Sequence, residues 1–407
     1  MPVEYRPARP EEMRKFIYSG HVGFGNSTAD EAVDRGVERA IARPEHTLCA
    51  FEDGEPVSKM ATLPFVMRWN GRDVKCGGVT HVTTLPTHRR QGHLRELRTR
   101  GLAAMKEAGQ PVGMLWASMA AIYQRFGWGI AFTERIYEFD PRHLRFADEI
   151  PVPGRIRMIA PVDAPSVLQR AYDRFAEPRT LMLRRDPEWW TSVVLRPWLP
   201  TASPWLISLY EENGDPLGYV IYGVEHRSST EPLPDQQLNV VELAWTTPAA
   251  HRALVQYLAG HDLAYSVRMS RMPSDDPLFY QAQEPRLLGA MDWDGTLVRI
   301  VDVAGALESR GYDGAGRFTF SLTDHLCPWN TGAWELTADG GNATVRRTDL
   351  QPSLCLTPRV LAILASGHLS ATTLAHIGLI LNPDGQALRT ADAIFRTAYA
   401  PFCADGF

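Results

Sequence analysis

The fold is decided by residues 81–94, which read HVTTLPTHRRQGHL and precede a run rich in Arg, Leu, Ala and Met. The first residues predict a β-strand, Pro86 to Gly92 predict a short basic turn, and the residues from His93 predict a helix. Such an arrangement presents backbone amides that have no partner within the helix, and these amides bind pyrophosphate. The segment therefore predicts a site for a cofactor that carries phosphate groups.

The turn does not match the two common nucleotide motifs. Neither GxxxxGK[ST] nor GxGxxG occurs here, and the pattern present is Arg-x-x-Gly, from Arg89 to Gly92. Taken alone, this pattern favours an ordinary strand, turn and helix with a solvated basic turn. The residues that follow decide between the two interpretations.

A second strand is predicted downstream of the helix. Residues 112–118 are apolar and follow Gly109-Gln110-Pro111, which indicates a buried strand parallel to the first. The helix over about residues 92 to 108 would join the two strands in a right-handed βαβ unit. Tyr123 follows just beyond, in the stretch AAIYQRFGWG that begins at Ala120.

Composition and charge narrow the class of protein. A chain of 407 residues exceeds the usual size of a single core, and 44% hydrophobic with 22% charged residues is typical of globular proteins. The net charge of -5 argues against a nucleic-acid surface and weakly favours cationic substrates. The five cysteines form no C-x-x-C pair, so neither a disulfide framework nor a metal site is predicted.

Targeting signals are not recognisable in the sequence. No signal segment precedes Glu4, and no apolar run reaches the roughly 18 residues that span a bilayer. We therefore expect no membrane span and a cytoplasmic location.

Three regions are predicted along the chain. Residues 1–150 hold two helices within about 11–42, strands near 47–51 and 58–69, a hairpin at Asn70-Gly71 and the βαβ unit, and they end at the linker 150–154. Residues 151–295 repeat this plan, but Thr246 to Ala249 stand where the basic turn would be. Residues 296–407 begin with a strand and a helix, continue with three hairpin strands and end with helices at 358–366, 372–377 and about 388–396.

These motifs resemble the GNAT superfamily of N-acetyltransferases and, within it, the Eis (enhanced intracellular survival) family. The resemblance rests on PTHRRxG, IYxRFGWG, LVRIVDV at the start of the third region, and a terminal Phe. It implies an α/β (α+β) chain of tandem GNAT folds with mixed central sheets, plus a C-terminal domain similar to sterol carrier protein. It also implies a homohexamer that transfers acetyl groups from acetyl-CoA to several amines of aminoglycosides or polyamines.

The resemblance assigns the cofactor contacts residue by residue. The pantetheine arm would run along the first strand, the pyrophosphate would lie on the turn, and the thioester would lie near the end of the second strand. The implied residues are Val82, Thr83, Thr84, Arg90, Gln91, Gly92, His93, Leu94, Arg95, Ser118 and Met119. The family often has Gly or Ala at the position of Leu94.

Two residues are expected to carry the chemistry. A phenol has a reference pKa of about 10, so Tyr123 is protonated at neutral pH. A thiol has a reference pKa of about 8.5, so proton transfer from Tyr123 to a departing thiolate is only slightly unfavourable in free energy. The resemblance implies that the terminal carboxylate of Phe407 accepts the proton of the substrate amine. Tyr123 is also an ordinary core residue by pattern, packed on Phe126 and Trp128, and this alternative stays open.

Two other functions remain compatible with the sequence. The third region's resemblance to sterol carrier protein allows a lipid-binding carrier. The second alternative function is that of a structural assembly subunit with a vestigial cofactor site. Binding of acetyl-CoA distinguishes the enzyme from both, since neither alternative requires a coenzyme.

Overall fold

The computed structural model describes residues 3–196, 204–227 and 233–407. The strands, in chain order, are β1 (Glu4–Arg6), β2 (Thr47–Glu52), β3 (Glu55–Arg68), β4 (Asp73–Thr84), β5 (Val112–Leu115), β6 (Gly129–Ile130), β7 (Thr133–Phe139), β8 (Arg155–Met158), β9 (Leu206–Glu212), β10 (Asp215–His226), β11 (Gln236–Trp245), β12 (Ala264–Pro273), β13 (Met291–Asp294), β14 (Leu297–Ile300), β15 (Ala315–Leu322), β16 (Gly332–Asp339), β17 (Ala343–Arg347) and β18 (Leu354–Leu356).

The α-helices are α1 (Met13–Phe24), α2 (Asp30–Glu38), α3 (His93–Glu107), α4 (Ala120–Gln124), α5 (Ala164–Ala176), α6 (Pro187–Trp189), α7 (Pro248–Ala259), α8 (Leu278–Gln281), α9 (Val303–Glu308), α10 (Pro358–Ser366), α11 (Ala371–His376) and α12 (Gly385–Phe395). None of the helices in the described ranges is long and apolar enough to cross a membrane.

The chain divides into two compact units. The first comprises the residues up to Ala131, Thr296–Arg396 and Phe407, and the second comprises Phe132–Gly295 and Thr397–Gly406. The three regions predicted at 1–150, 151–295 and 296–407 do not coincide with these units, because the second sheet begins before residue 150 and residues after 296 belong to the first unit. The three-part division stays a prediction.

The main sheet of the first unit is mixed and has the order β1-β2-β3-β4-β5-β14-β6. The hairpin between β3 and β4 forms as predicted, with Asn70 and Gly71 at φ of 50° and 83°. Both residue types tolerate positive φ, which a two-residue turn of this kind requires. Strands β4 and β5 pair in parallel and are joined by α3, so the predicted βαβ unit is confirmed. Strand β5 ends at Leu115, three residues earlier than predicted.

Strand β14 occupies a position that the sequence did not indicate. It was expected to open the third region, but it lies between β5 and β6 in the main sheet and is antiparallel to both. All four of its residues are buried, from Leu297 to Ile300. The main sheet is therefore completed by a strand that follows β6 by more than 160 residues.

The rest of the first unit is a smaller mixed sheet with helices. Its strands have the order β17-β16-β15-β18, and β15 and β18 are parallel. Helix α10 begins and ends where predicted, is capped by Thr357 and ends at Gly367, whose φ is 78°. The short strand β18 was not predicted, because it has only three residues between a turn and a helix.

The second unit repeats the plan of the first main sheet. Its strands have the order β13-β7-β12-β11-β10-β9-β8, and only β11 and β12 are parallel among the paired strands described. Helix α7 joins these two strands, as α3 joins β4 and β5. Strand β7 belongs to this sheet although the sequence was expected to stay in the first region until residue 150.

Candidate active site

The predicted phosphate turn is an open, uncapped helix start. Gly92 precedes α3 with φ of 91°, and a Cβ built there would meet no atom within 4 Å. Within the described chain no side chain caps α3, so the amides of its first turn have no side-chain acceptor. Arg90, Gln91 and Arg95 are exposed around this turn. The turn thus combines open space, positive charge and the amides of His93 and Leu94, whereas the amide of Arg95 donates to the carbonyl of Gly92 at 2.9 Å.

Two residues of the turn are less open. The ring of His93 is buried, and its Nδ1 lies 2.9 Å from the hydroxyl of Tyr5. Leu94 is half-buried. Their side chains are therefore part of the helix packing, and any contact with a phosphate would come from their backbone amides.

Strand β4 extends beyond the end of β5 beside this turn. Their pairing stops at Val79 and Leu115, whereas β4 continues to Thr84. His81 has φ of 53° where the register between β3 and β4 shifts, which bends β4 just beyond the residues that pair with β5. The β5-facing edge of the last five residues of β4 therefore has no partner strand in the described residues.

The side chains at the end of β4 are placed differently from one another. Val82 is half-buried and lines a small cavity. Thr83 is buried against α1. A Cβ built on Gly23 of that helix would lie 2.9 Å from the Cβ of Thr83. The hydroxyl of Thr84 lies 2.8 Å from that of Ser58 on β3. These residues would offer mainly backbone groups to a bound pantetheine arm.

Tyr123 lies on α4 in a packed, largely apolar environment. It is 6% exposed, and its ring stands edge-on to that of Trp128 with 6.4 Å between the centroids. Burial raises the pKa of the Tyr123 phenol, and the guanidinium of Arg98 opposes this effect. The pKa shift keeps the phenol protonated at neutral pH, as an acid requires. The same packing also agrees with the structural interpretation left open by the sequence.

The segment after Tyr123 is held by the C-terminal part of the first unit. The carboxylate of Asp324 accepts two hydrogen bonds of 2.6 Å from Arg299, whose Nε donates to the carbonyl of Phe126 at 3.1 Å. A Cβ at Gly129 would lie 2.6 Å from the carbonyl oxygen of Arg359 on α10. Helix α10 and strand β14 thus fix the loop that follows the candidate acid.

The final residue is packed within the first unit. The ring of Phe407 is half-buried and stands edge-on to Phe65 at a centroid distance of 4.9 Å. It also packs against an apolar cluster that includes Phe16 and Leu63. Because Phe407 belongs to the same unit as the turn and Tyr123, all the predicted site residues lie in one unit. Ser118 and Met119 are exposed in the bend between β5 and α4.

The residues before Phe407 are fixed within the second unit. The carboxylate of Asp405 is 2% exposed and accepts hydrogen bonds from Arg185 Nε at 2.8 Å and Trp189 Nε1 at 2.7 Å. Arg185 also donates to both carboxylate oxygens of Glu242. The sequence did not identify this buried ion network.

In the described part of the second unit, the helix start that corresponds to the open turn is capped. Thr247 stands at the start of α7 in place of the basic turn, and its side-chain oxygen accepts a hydrogen bond of 3.1 Å from the amide of Ala250. A helix start capped by its own side chain does not offer the same amides to a ligand.

Comparisons with known proteins agree with this architecture. Two acetyltransferase (GNAT) domain models match residues 4–131 and 181–300, and a sterol carrier protein domain model matches residues 303–404. An uncharacterized N-acetyltransferase from Streptomyces avermitilis is 33% identical over 415 residues and covers all of both chains. N-acetyltransferase Eis from Mycobacterium tuberculosis is 30% identical over 334 residues, which is 78% of this chain and 77% of that one.

A solved structure extends the likeness to the whole fold. The crystal structure of Eis1 from Mycobacterium abscessus covers all of both chains with a TM-score of 0.82 and 26% identity. With the open helix start, the unpaired end of β4 and the repeated sheet, these matches define the chain as a GNAT N-acetyltransferase. It belongs to the Eis type, with tandem GNAT folds followed by a sterol carrier protein-like domain.

Proposed function

We propose that the protein transfers acetyl groups from acetyl-CoA to primary amines of small cationic molecules of the aminoglycoside or polyamine kind, at more than one position. The observation that carries this proposal is the presence of the uncapped start of α3, Tyr123 and the terminal Phe407 in one unit. The net charge of -5 favours a cationic acceptor.

The residues present fit coenzyme A. The open space at Gly92 and the free amides of the first turn of α3 suit a pyrophosphate, which Arg90 and Arg95 would attract. The unpaired edge of β4 from Thr80 to Thr84 suits an arm that carries amide groups, because it can pair as a further strand would. When bound, acetyl-CoA supplies the acyl group as an activated thioester.

Two groups of the chain would move protons. The carboxylate of Phe407 is ionised at neutral pH, so it attracts the substrate ammonium and accepts its proton, directly or through water. A C–N bond then forms at the acyl carbon while the C–S bond breaks. The Tyr123 phenol donates its proton to the departing sulfur. The nitrogen loses its second proton to solvent as the amide forms, so the products are an N-acetylated amine and a free thiol, and exchange with solvent restores the carboxylate and the phenol.

Direct transfer is favoured over an acyl-enzyme. Cys76 is the cysteine nearest in sequence to the site, but it is fully buried on β4, and burial raises the pKa of its thiol far above neutrality. Since the thiolate is the nucleophilic form, this cysteine is unsuited to carry an acyl group.

The proposal is tested by thiol release from acetyl-CoA with a panel of aminoglycosides, polyamines and lysine peptides. We expect release with the polyamines or aminoglycosides, and mass spectrometry of the products counts the acetylated positions. Absence of release with every amine would contradict the proposal. A hexamer is also proposed from the Eis relationship, and sedimentation of the purified protein measures the assembly.

The role of the chain end is tested separately. An extension of two glycines beyond Phe407 removes the carboxylate from its place and should abolish turnover, whereas the same two glycines added before Met1 should not. Both proteins should show the same thermal shift with acetyl-CoA as the unmodified chain. A fully active protein with the C-terminal extension would exclude Phe407 as the base.

A further inference from the structure

The residues that lead to the chain end are docked on the second unit. Residues 397–406, the chain-end segment, all belong to that unit. The amide of Phe402 donates a hydrogen bond of 2.9 Å to the carbonyl of Thr180. The ring of Phe402 is 2% exposed and stands edge-on to the rings of Phe132 and Phe175. Apolar packing and backbone hydrogen bonding thus hold the first part of the segment.

Asp405 adds a buried ion network near the end of the segment. Its carboxylate shares Arg185 with the carboxylate of Glu242, and the three side chains are at most 6% exposed. Asp405 also accepts a hydrogen bond of 2.7 Å from Trp189 Nε1, and the Tyr172 hydroxyl lies 3.2 Å from its other oxygen. Apolar side chains of similar volume often replace such a network without loss of stability. Stability alone therefore does not explain why the network is present.

Glu242 lies at a distinctive place in the second sheet. Strand β11 pairs with β12 as far as Val240 and continues to Trp245. In the first sheet β4 likewise continues beyond its pairing with β5, and that end of β4 carries the residues assigned to the pantetheine arm. The second GNAT fold thus has an anchor for the chain-end segment at the position where the first has its cofactor contacts.

We propose that Arg185, Glu242 and Asp405 are positioning residues for the terminal carboxylate, so that the second GNAT fold serves as the anchor of the general base. This inference rests on the proposed function, which assigns that base to Phe407. Only Gly406 separates Asp405 from Phe407, so the Cα atoms of these two residues are at most about 7 Å apart. The position of Asp405 therefore limits where the carboxylate can lie.

The network fixes the register of the segment, which apolar docking does not. An apolar segment can slip by one residue and still bury similar side chains, and such a slip moves the chain end by about 3.3 to 3.6 Å. A general base accepts a proton directly only at heavy-atom distances of about 2.6 to 3.2 Å, so the slip takes the carboxylate out of direct reach. Asp405 is the only acidic residue of the segment, and its bond to Arg185 therefore allows one register.

Kinetics of matched variants test the positioning role. Asp405→Asn and Glu242→Gln each break the network with little change in side-chain volume. Glu211→Gln is the control, because Glu211 is a buried carboxylate on β9 of the same sheet that pairs with Arg155 and Arg157. At a temperature well below the melting point of each protein, we expect kcat to fall about 10²-fold in the two network variants, the loss that a displacement on the order of 1 Å causes. The KM for acetyl-CoA should stay unchanged, and the control should keep the kcat of the wild type.

A diffusible base distinguishes a misplaced carboxylate from a loss of fold. Formate is a small carboxylate that can accept the substrate proton in place of the displaced group. We expect added formate to restore part of kcat in Asp405→Asn and to leave the wild type and Glu211→Gln unchanged. Trp189→Phe removes one donor to Asp405 and keeps an aromatic ring, so this milder variant should show a smaller loss of kcat with the same response to formate.

Release of the last residue measures the anchoring without any assay of activity. Carboxypeptidase A removes aromatic residues from chain ends, and it acts here only when the end leaves its place in the fold. The rate at which Phe407 is lost, followed by intact-mass spectrometry, therefore reports how often the end opens. We expect this rate to rise at least about tenfold in Asp405→Asn and Glu242→Gln and to stay at the wild-type value in Glu211→Gln.

The outcomes separate this inference from the proposed function. Unchanged kcat and unchanged release of Phe407 in the network variants would overturn the anchor and leave the acetyltransferase proposal intact. A fall in kcat that Glu211→Gln shares and that formate does not restore would also overturn the anchor, because it would report a general loss of structure. No transfer by the unmodified chain would reject the proposed function and the positioning role together.

Discussion

Replacement of Lys59 by Met should stabilise the protein in a pH-dependent manner. Lys59 lies on β3, is 1% exposed, and its ammonium stands 3.7 Å from the ring centroid of Phe16. Among the described residues it forms no ion pair with a carboxylate, and burial lowers the pKa of Lys59 to about 7. The Lys59 ammonium donates a hydrogen bond to the carbonyl oxygen of Phe16, which also accepts one from the Ser19 hydroxyl at 3.0 Å. The substitution therefore leaves no unpaired acceptor.

The magnitude and sign follow from this pKa. Between pH 7 and 10.5 the unfolded chain carries a proton on Lys59 that the folded chain lacks. The stability of the wild type therefore rises with pH by about 1.4 kcal/mol per unit in this window. Below pH 7 the folded chain holds Lys59 in its charged form, and burial of this charge lowers the free energy of unfolding by about 5 kcal/mol for a pKa shift of this size. After subtraction of about 1 kcal/mol for the lost hydrogen bond, Lys59→Met should gain about 4 kcal/mol near pH 6.5.

Thermal melts at pH 6.5, 7.5 and 8.5 measure this effect. A gain of about 4 kcal/mol corresponds to a rise of about 10 °C for a unit of this size, and the gain should shrink as pH rises. Lys75→Met is the matched control, since Lys75 is exposed on the neighbouring strand β4. A constant difference between wild type and Lys59→Met across the three pH values would refute the reasoning.

Three further predictions concern the site and the chain end. Tyr123→Phe should lower kcat by about 10² to 10⁴ while the KM for acetyl-CoA stays near its wild-type value, and an equal loss of binding would argue against the acid role. Gly92→Val forces a β-branched residue to a φ of 91° and should raise the KM for acetyl-CoA at least about tenfold with kcat retained; an unchanged KM would remove Gly92 from the phosphate site. Asp405→Asn should reduce unfolding free energy by about 3 kcal/mol in urea titrations, because it breaks a buried ion pair with Arg185, whereas the exposed control Asp384→Asn should change it far less.

Local features of the fold were predictable from the sequence. Asn70-Gly71 indicated the hairpin because these residues accept positive φ, and Thr357 before Pro358 with Gly367 afterwards delimited α10. The βαβ unit followed from an apolar run, a helix and a second apolar run. In each case the signal lies within a few neighbouring residues.

Features set by distant contacts were not predictable. Strand β14 was recognised as a strand, but its insertion between β5 and β6 depends on pairing with residues far away in sequence. Arg98 stands in a helix full of arginines, and nothing in the pattern indicates that it alone among them turns inward beneath Tyr123. The candidate acid and turn were named from motifs, and their roles stay predictions until the kinetics are measured.

The late position of β14 has a consequence for synthesis on the ribosome. The N-terminal sheet lacks its interior strand β14 until residue 300 has left the exit tunnel. The edges of β5 and β6 that pair with β14 therefore stay exposed while some 160 residues are translated. An isolated fragment that stops near residue 150 would keep these edges exposed indefinitely, and exposed edges pair with other chains. Expression of the N-terminal part alone should therefore yield aggregates, and co-expression of a segment that carries Leu297–Ile300 with the helices behind it should improve recovery.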